Sequence, residues 1–331
     1  MSTRAFKRMS KEISDLNKDA KNLAENGLYT YVNEENMKEV YALFIGREKT
    51  PYHHGFYFIK FTYPDDYPMS PPKAFYATQG SISGNGIVRF NPNLYTCGKV
   101  CLSMLNTWQG PGWVPTNTIV NVFMAIQALV LHEVPLHNEP GYTSHPVNDP
   151  IVQSYNRLIE YANYNIGIYE MLNNPPKGFE IFLPIMEKYF IENFNGIISN
   201  IQEIKDTYNQ SDIKSGAYGQ CNVKPNYDMT IQRLNEKYAI LTNSSTSHQP
   251  TTQVDGSASA ITEKVVPETV FKKVAIKKSA SKSKTSTTMN YDGFAAAATA
   301  ISELDDIELA NQIAIAKLLE EDDKELDKSK N

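Results

Sequence analysis

The region from residue 28 to residue 63 constrains the fold of this chain most strongly. It contains three short runs rich in aromatic and β-branched residues, at 28–32, 40–45 and 55–63, which is the composition typical of β-strands. The segments between the runs are too short to contain a crossover helix, so consecutive strands are expected to pair antiparallel. The prolines between Pro64 and Pro72 predict an extended crossing before a fourth run at 73–77. The sequence therefore predicts a four-stranded antiparallel meander.

Helices are predicted on both sides of this meander, which gives an α+β fold class. The apolar residues of an amphipathic N-terminal helix recur at helical spacing at Phe6, Met9, Ile13 and Leu16. Further apolar stripes predict helices at 115–131, 150–172, 179–208 and 229–241. Breaks in the last two are expected near Pro184 and Gly196, and between residues 211 and 225.

Composition divides the chain into a structured part and a tail. Residues 173–241 are predicted to form a helical C-terminal extension of the domain that precedes them. In residues 242–290, Ser, Thr, Gln and Lys dominate and large apolar residues are few. Such a segment cannot bury enough apolar surface to fold, so a disordered linker is predicted. A terminal helix is predicted within residues 291–331.

Charge and cysteine usage limit the functional class. The formal net charge of the 331 residues is −5, which argues against a generally basic nucleic-acid-binding protein. The three cysteines, Cys97, Cys101 and Cys221, are too few and too irregularly placed for a disulfide framework. Neither a signal peptide nor an apolar run of membrane-spanning length is recognised in the sequence. The expected location is the cytoplasm, with the nucleus as an alternative.

Cys101 is the candidate nucleophile, although a cysteine in an apolar stretch is more often a small buried hydrophobe. It follows the turn-forming string Asn91-Pro92-Asn93 and Gly98. Trp108 and Trp113 flank a Gly-Pro-Gly turn just downstream. This composition indicates a rigid loop around the sulfur rather than a core strand.

Two other chemistries are weighed for this cysteine. A thiol hydrolase needs a base, and the downstream candidates are His132, His137 and His145. Sequence spacing does not bring any of these histidines to Cys101. A zinc site is also weakly supported, because Cys97 and Cys101 have no second pair of cysteines or histidines at ligand spacing.

Five motifs occur in a fixed order between residues 50 and 115. They are Thr50-Pro51-Tyr52-His53-His54-Gly55-Phe56-Tyr57-Phe58, Tyr63-Pro64-Asp65-Asp66-Tyr67-Pro68-Met69-Ser70-Pro71-Pro72-Lys73, Phe90-Asn91-Pro92-Asn93-Leu94, Gly98-Lys99-Val100-Cys101-Leu102-Ser103 and Trp113-Val114-Pro115. Each motif alone is weak, but in this order they resemble the ubiquitin-conjugating domain. The resemblance covers residues 4–172 and implies the ubiquitin-conjugating fold, with residues 1–172 as the catalytic domain.

The resemblance implies an enzyme that carries ubiquitin or a ubiquitin-like modifier. In this family the acceptor cysteine lies eight positions after the motif asparagine, and Asn93 and Cys101 have that spacing. Cys101 is then expected to hold the modifier as a thioester and pass it to a substrate lysine, usually with a ligase. Asn93 is expected to donate to the carbonyl oxygen as negative charge develops, or to hold the loop that shapes the site. No cofactor is implied, because ATP is used by the upstream activating enzyme.

A third residue, Asp149, matches an acidic residue of the family that positions the incoming lysine. It directly precedes Pro150 at the start of a predicted helix. Aspartate is also a common helix N-cap, and the catalytic and structural roles are compatible.

The resemblance also implies protein partners: the modifier, an activating enzyme, a ligase and protein substrates, with no nucleic acid and no membrane. The residues that match the helix used for the activating enzyme are Arg4, Lys7, Arg8 and Lys11. The residues that match the ligase-contacting loops are Met69, Val114 and Pro115. A solvated helix face and simple loop packing are the structural alternatives for these two sets.

Two departures from the family pattern point to a subgroup. Asn91 stands where the family usually has histidine, and the loop from Cys101 to Trp113 is longer than in the small members. Both departures occur in the Z-type conjugating enzymes, which the string His137-Asn138-Glu139-Pro140-Gly141-Tyr142 also resembles. Two alternatives stay open: a catalytically impaired ubiquitin-binding module of the same fold, and an enzyme whose tail recruits substrates without a separate ligase.

The tail holds two weaker motifs. The string Asp305-Asp306-Ile307-Glu308-Leu309-Ala310, followed by Ala314, partly resembles a ubiquitin-interacting helix, with a plain amphipathic helix as the alternative. The lysine pairs at 272–273 and 277–278 match either a nuclear signal or a solvated linker.

Overall fold

A four-stranded antiparallel sheet lies at the centre of the computed structural model, which describes residues 1–33, 35–219 and 221–246. Its strands are β1 (Leu28–Val32), β2 (Glu39–Ile45), β3 (Phe56–Thr62) and β4 (Lys73–Tyr76). They pair in chain order, with Leu28 opposite Phe44 and Phe61 opposite Ala74. The predicted α+β class and the meander are confirmed.

Helices and short hairpins surround the sheet. The helices are α1 (Thr3–Glu25), α2 (Ile119–Ala125), α3 (Pro150–Ala162), α4 (Met171–Asn173), α5 (Leu183–Tyr208) and α6 (Tyr227–Thr246). Wider π-helical turns continue α2 through Ile126–Val130 and join α3 to α4 through Asn163–Glu170. Two small hairpins are formed by β5 (Ser81–Ile82) with β6 (Gly86–Ile87), and by β7 (Ile213–Ser215) with β8 (Cys221–Val223).

One face of the sheet packs on α2. Side chains alternate between the two faces of a strand, and Phe44 and Phe61 point to this side. Their ring centroids lie 6.0 Å and 5.0 Å from that of Phe123, in edge-to-face geometry that is favourable for aromatic pairs. This cluster is the main core of the domain.

The opposite face of the sheet is covered by the segment that leads into α5. Phe179 lies 5.0 Å from Tyr41 and 4.8 Å from Phe58, and Tyr189 of α5 packs on Phe56. Cover on both faces explains why β2 is an almost unbroken apolar run, buried at every position after Glu39, instead of an alternating one. The helical extension is therefore packed against the sheet.

Helix α1 buries one apolar stripe against the sheet domain. One residue of this stripe differs from the prediction. Met9, Ile13 and Leu16 are buried as predicted, but Phe6 is 50 % exposed and Ala5 is buried in its place. Phe6 lies at the edge of the apolar stripe, where helical spacing alone does not decide burial.

Helix α2 begins at Ile119, four positions after the predicted start at Pro115. Thr118 and Asn121 form a capping box, in which Asn121 Oδ1 accepts from the Thr118 N–H at 2.8 Å and the Asn121 N–H donates to Thr118 Oγ1 at 3.4 Å. A capping box fixes a helix start more firmly than a proline does. Pro115 therefore stays in the exposed loop before the helix.

Helix α5 runs without a break through Gly196, where an interruption was predicted. Glycine costs about 1 kcal/mol in a helix interior, but the buried stripe of α5 continues across it. The stripe consists of Met186, Phe190, Phe194, Ile197 and Ile201. Pro184 is tolerated because it lies in the first turn, where its missing N–H has no partner to lose.

Helix α6 continues to Thr246, past Thr242 where the linker was predicted to begin. The rest of that linker, the predicted terminal helix and both tail motifs lie outside the described residues. Within residues 1–246, apart from positions 34 and 220, no helix has the length and apolarity needed to cross a membrane.

Candidate active site

Cys101 and Asn93 lie opposite each other in a short hairpin. The Cys101 N–H donates to the Asn93 carbonyl at 2.8 Å, and isolated bridges join Asn91 to Leu94 and Leu94 to Val100. Cys101 is 1 % exposed, which is equally expected of a small core residue. Among the described residues, no group hydrogen-bonds the side-chain amide of Asn93, which is partly buried. The hairpin thus joins a thiol and a side-chain amide that is available as a donor.

Asn91 organises the turn before this hairpin, although it stands where the family usually has histidine. Its Nδ2 donates to the Tyr52 hydroxyl at 3.1 Å and to the Val130 carbonyl at 2.8 Å. Its Oδ1 accepts from the Asn93 N–H at 2.8 Å and from Asn138 Nδ2 at 3.1 Å. The side chain is fully buried and uses all of its hydrogen-bonding capacity. The loop is therefore ordered with asparagine at this position.

Asn138 was not identified as a site residue from the sequence. Besides Asn91, its Nδ2 donates to the Leu129 carbonyl at 2.7 Å, and its Oδ1 lies 2.9 Å from His132 Nε2. It ties the π-helical turn after α2 to the loop that carries Asn93. Its place in the string from His137 to Tyr142, which resembles the subgroup, was the signal that could have identified it.

Thr107 holds the segment that follows Cys101 and was also missed. Its hydroxyl accepts from the Leu102 N–H at 2.9 Å and donates to the Val100 carbonyl at 2.7 Å. These two contacts bracket Cys101 on both sides. Further along the loop, Asn106 Oδ1 accepts from the Trp113 N–H at 2.8 Å, while Trp108 is 46 % exposed.

Asp149 is the N-cap of α3. One carboxylate oxygen accepts from the Ile151 N–H at 2.9 Å and the other lies 2.9 Å from His145 Nδ1. The hydrogen bond with His145, followed by the one from the Ile151 N–H, lowers the pKa of Asp149 below its usual value. None of its hydrogen bonds reaches Cys101 or Asn93. The structure therefore assigns Asp149 a capping contact and leaves a charged, accessible carboxylate.

The basic residues of α1 divide into two kinds. Arg4, Lys7 and Lys11 are exposed, Lys11 in a surface ion pair with Asp15 at 2.7 Å, whereas Arg8 is used inside the fold. Its Nε donates to the carboxylate of the buried Glu12 at 2.5 Å, and its Nη2 donates to the Asn117 carbonyl at 2.7 Å. Arg8 is therefore paired with Glu12 within the fold, and its contact with an activating enzyme stays a prediction.

Glu12 was likewise missed, and it joins three segments. Its carboxylate accepts from the Tyr67 hydroxyl at 2.7 Å and 2.8 Å and from the Ile119 N–H at 2.9 Å. Its negative charge lies at the N-terminus of α2, where the helix dipole favours an anion. Helix α1, the proline-rich loop and α2 are fixed to one another through this single side chain.

The predicted ligase-contacting residues are exposed on two loops that hydrogen-bond each other. Met69 is 65 % exposed and Val114 is 49 % exposed, and Pro115 is also exposed. Trp113, which precedes Val114, donates a hydrogen bond from Nε1 to the carbonyl of Pro68, which precedes Met69, at 2.7 Å. The two loops are therefore held side by side.

Within the described residues, the histidines downstream of Cys101 hydrogen-bond groups other than the thiol. His132 pairs with Asn138, His137 Nε2 lies 2.9 Å from the His145 carbonyl, and His145 pairs with Asp149. None of these hydrogen bonds involves Cys101. In the part of the chain that the structure describes, no group of three or more His, Cys, Asp and Glu side chains is arranged to hold a metal ion.

Comparison with known proteins agrees with this arrangement. Residues 8–166 match the model of the family described as ubiquitin-conjugating enzyme. The chain is 37 % identical over 171 residues to ubiquitin-conjugating enzyme E2 Z of Danio rerio, covering 51 % of this chain and 50 % of the relative. It is also 37 % identical over 169 residues to the Xenopus tropicalis protein of that name, covering 51 % and 52 %. The Homo sapiens protein is 37 % identical over 171 residues, covering 51 % and 46 %. The chain thus spans about half the length of these curated relatives.

Proposed function

The chain belongs to the ubiquitin-conjugating enzyme family through residues 8–166, in its Z-type subgroup, and from this membership we propose that it transfers a modifier through Cys101. The modifier, ubiquitin or a ubiquitin-like protein, arrives from an activating enzyme as a thioester. Cys101 accepts it and passes it to a substrate lysine with the help of a ligase. The upstream enzyme uses the ATP, so no cofactor is proposed for this chain.

The observation that carries the proposal is the hairpin contact between the Cys101 N–H and the Asn93 carbonyl at 2.8 Å. It fixes the backbone of the amide-bearing residue directly beside that of the thiol. Because the Asn93 amide has no hydrogen-bond partner within the described residues, it is available to an acyl group on the sulfur. The ordered network around Asn91 argues against a malformed loop.

The first step is an exchange of thioesters. The Cys101 thiolate attacks the modifier's C-terminal carbonyl, a new C–S bond forms, and the thiolate of the activating enzyme leaves. The thiolate is the reactive form of cysteine. Because Cys101 is 1 % exposed, the residues that cover the sulfur must be displaced when the partner docks.

In the second step, a deprotonated lysine amine attacks the thioester carbonyl and a C–N bond forms. The C–S bond breaks, the Cys101 thiolate leaves, and the proton that the nitrogen loses passes to solvent. Negative charge develops on the carbonyl oxygen, and the Asn93 amide donates a hydrogen bond to it. Loss of one such donor lowers the rate by about a hundredfold to a thousandfold. The Asp149 carboxylate, held ionised by His145 and Ile151, attracts and orients the incoming ammonium before it loses its proton.

Two surfaces are proposed for protein partners. The exposed cations Arg4, Lys7 and Lys11 of α1 offer positive charge to an acidic patch of the activating enzyme. The apolar surface of Met69, Val114 and Pro115 offers side chains that a ligase can bury. Both surfaces are joined to α2 through Glu12 and Arg8.

The test is a charging assay with ATP, ubiquitin or a ubiquitin-like modifier, and more than one activating enzyme. Wild type should form an adduct that reductant removes. Cys101→Ser should form no adduct or a reductant-resistant ester, while the matched control Cys97→Ser, which changes an exposed cysteine of the same hairpin, should charge normally. Absence of an adduct under every pairing would favour the alternative of a non-catalytic ubiquitin-binding module. Cleavage of modifier adducts without ATP would instead favour a thiol hydrolase.

A further inference from the structure

The β7–β8 hairpin of the C-terminal extension is anchored on the domain that carries the site. The Asn222 N–H donates to the Gly84 carbonyl at 3.0 Å, and Arg157 Nη2 of α3 donates to the Ser211 carbonyl at 2.5 Å. Ile213 and Val223 of the two strands are buried. Strands this short are not stable by themselves, so these contacts fix where the hairpin lies.

Tyr218 occupies the tip of this hairpin and contacts the loops around the site. Its hydroxyl donates to Glu139 Oε2 at 2.5 Å, and its ring packs edge-to-face on Tyr155 with centroids 5.8 Å apart. The ring also lies under the guanidinium of Arg89, with Cζ 4.4 Å from the centroid. Burial, followed by the hydrogen bond to Glu139, raises the pKa of Tyr218, so the hydroxyl stays a neutral donor.

Arg89 connects Tyr218 to the catalytic loop. Its guanidinium contacts two aromatic rings, because Cζ also lies 4.0 Å from the centroid of the Tyr95 ring. Its Nη2 donates to the Pro92 carbonyl at 2.5 Å. This carbonyl belongs to the peptide bond that joins Pro92 to Asn93. Arg89 Nε is buried and has no hydrogen-bond partner among the described residues. The two rings therefore supply much of what holds the guanidinium in place.

We propose that Tyr218 is a positioning residue through which the C-terminal extension orders the catalytic loop. Tyr218 and Tyr95 hold Arg89, Arg89 fixes the Pro92 carbonyl, and the Pro92–Asn93 peptide then presents the Asn93 amide beside Cys101. This inference rests on the proposed function. It assigns the extension a part in the lysine-transfer step.

The two steps of the reaction separate this role from a general effect on folding. In the full chain, single-turnover discharge of a preformed Cys101 thioester onto free lysine should be about fivefold to thirtyfold slower in Tyr218→Ala, the loss expected for one well-packed cation–π contact. Thioester formation should change less than about twofold, because the proposed function assigns the Asn93 amide to the lysine-transfer step. Tyr218→Phe, which keeps the ring, should restore most of the discharge rate.

Two further variants make the assignment specific. Arg89→Ala should reproduce the Tyr218→Ala defect, and the double variant should be no slower than Arg89→Ala alone, since both changes interrupt one connection. Arg233→Ala is the matched control, because it removes a different arginine–tyrosine contact. Cζ of Arg233, in the extension, lies 5.7 Å from the ring centroid of Tyr169. This variant should discharge at the wild-type rate.

The outcomes distinguish this inference from the proposed function. If wild type forms no thioester, the proposed function fails and this inference fails with it. If wild type charges and discharges but Tyr218→Ala does the same at equal rates, only the positioning role is overturned. Equal losses in charging and discharge, together with a lower Tm, would also overturn it, since they indicate a stability effect.

Discussion

Asn138 donates a hydrogen bond from Nδ2 to Asn91 Oδ1 at 3.1 Å, joining two segments that are far apart in the sequence. In this chain the pair orders the loop at the position where the family usually has histidine. The same Asn91 oxygen accepts from the Asn93 N–H, so the pair acts directly on the residue proposed to stabilise the oxyanion.

The Asn91–Asn138 pair should be energetically coupled. Replacing either residue with alanine leaves buried polar groups unpaired, and each change should lower the free energy of unfolding by about 1–3 kcal/mol. A double-mutant cycle measured by urea unfolding should give a coupling energy of about 0.5–3 kcal/mol. Asn173→Ala is the control, because its amide bonds only the exposed Tyr169 carbonyl, and it should change little. Strict additivity would show that the two side chains act independently.

Glu12 should be among the most sensitive residues of α1. Glu12→Gln removes the charge from a side chain that is 5 % exposed and leaves Arg8 without its counter-ion. Breaking a buried ion pair by removing one partner costs about 3–5 kcal/mol, and urea unfolding should show a loss of about 3 kcal/mol. Asp15→Asn, which affects the exposed pairs with Lys11 and Lys18, should cost less than about 1 kcal/mol. A similar loss in both variants would contradict the special role of Glu12.

The elements that were predicted correctly from the sequence are those with local signals. The strands of the meander are indicated by their composition and by the short connections between them. The spacing of Asn93 and Cys101 is that of one small hairpin. Tertiary effects were not accessible in the same way. Glu12 reaches Ile119, and Asn138 reaches Asn91, through contacts that no window of the sequence contains. The start of α2 was misplaced because the capping box at Thr118 outweighs the proline signal at Pro115.

The sequence indicated only indirectly that Phe179 and Tyr189 cover one face of the sheet. An unbroken apolar strand such as β2 indicates burial on both faces, but it does not identify the covering segment. The different environments of the basic residues of α1 were also not predicted, because a local pattern does not identify a tertiary partner. Helical spacing places Arg8 on the polar side, and only the fold shows that it forms an ion pair with the buried Glu12.

His54 should make stability depend on pH. Burial, followed by the neighbouring His53, lowers the pKa of His54 to about 4, below its ordinary value near 6.5. The unfolded chain therefore takes up the proton first as pH falls, and the contribution to stability is lost between about pH 6.5 and pH 4.

The contribution of His54 to stability is measured by comparing how the unfolding free energy of wild type and of His54→Asn changes with pH. Between pH 7 and pH 5, wild type should lose about 2 kcal/mol more unfolding free energy than His54→Asn. Asparagine is chosen because His54 has a φ of 66°, which asparagine tolerates better than most residues do. Since the variant also loses the contact between Nδ1 and the Tyr189 hydroxyl at 2.9 Å, the difference between the two pH values is compared, rather than the absolute stability. Parallel pH profiles would contradict the assignment.

Met69 should affect ligase-dependent transfer without affecting the fold. Its side chain is 65 % exposed, so Met69→Ala should change the unfolding free energy by less than about 0.5 kcal/mol. If the side chain is a buried anchor in the complex, ligase binding should weaken by about 1–2 kcal/mol, roughly fivefold to thirtyfold. Discharge onto free lysine without ligase should be unchanged. Met229→Ala, at another exposed methionine, is the control, and equal effects of the two changes on ligase binding would sink the assignment.

Asp149 allows the capping and catalytic roles to be separated, because asparagine is as good an N-cap as aspartate but carries no charge. Asp149→Asn should keep α3 intact and charge Cys101 at the wild-type rate. Its discharge onto lysine should be slower by about a hundredfold if the carboxylate assists the incoming amine. The pKa of Asp149 is lowered by its hydrogen bonds with His145 and Ile151, so the carboxylate stays ionised as pH falls until well below neutral.

The decisive comparison is therefore made at several pH values above 6, where wild-type Asp149 is fully ionised and lysine deprotonation alone sets the slope. There the ratio of wild-type to Asp149→Asn discharge rates should stay constant and large. Asp149→Ala should show the same catalytic defect together with a lower Tm, because it also loses the cap. If Asp149→Asn discharged as fast as wild type while Asp149→Ala did not, the residue would be a helix cap and nothing more.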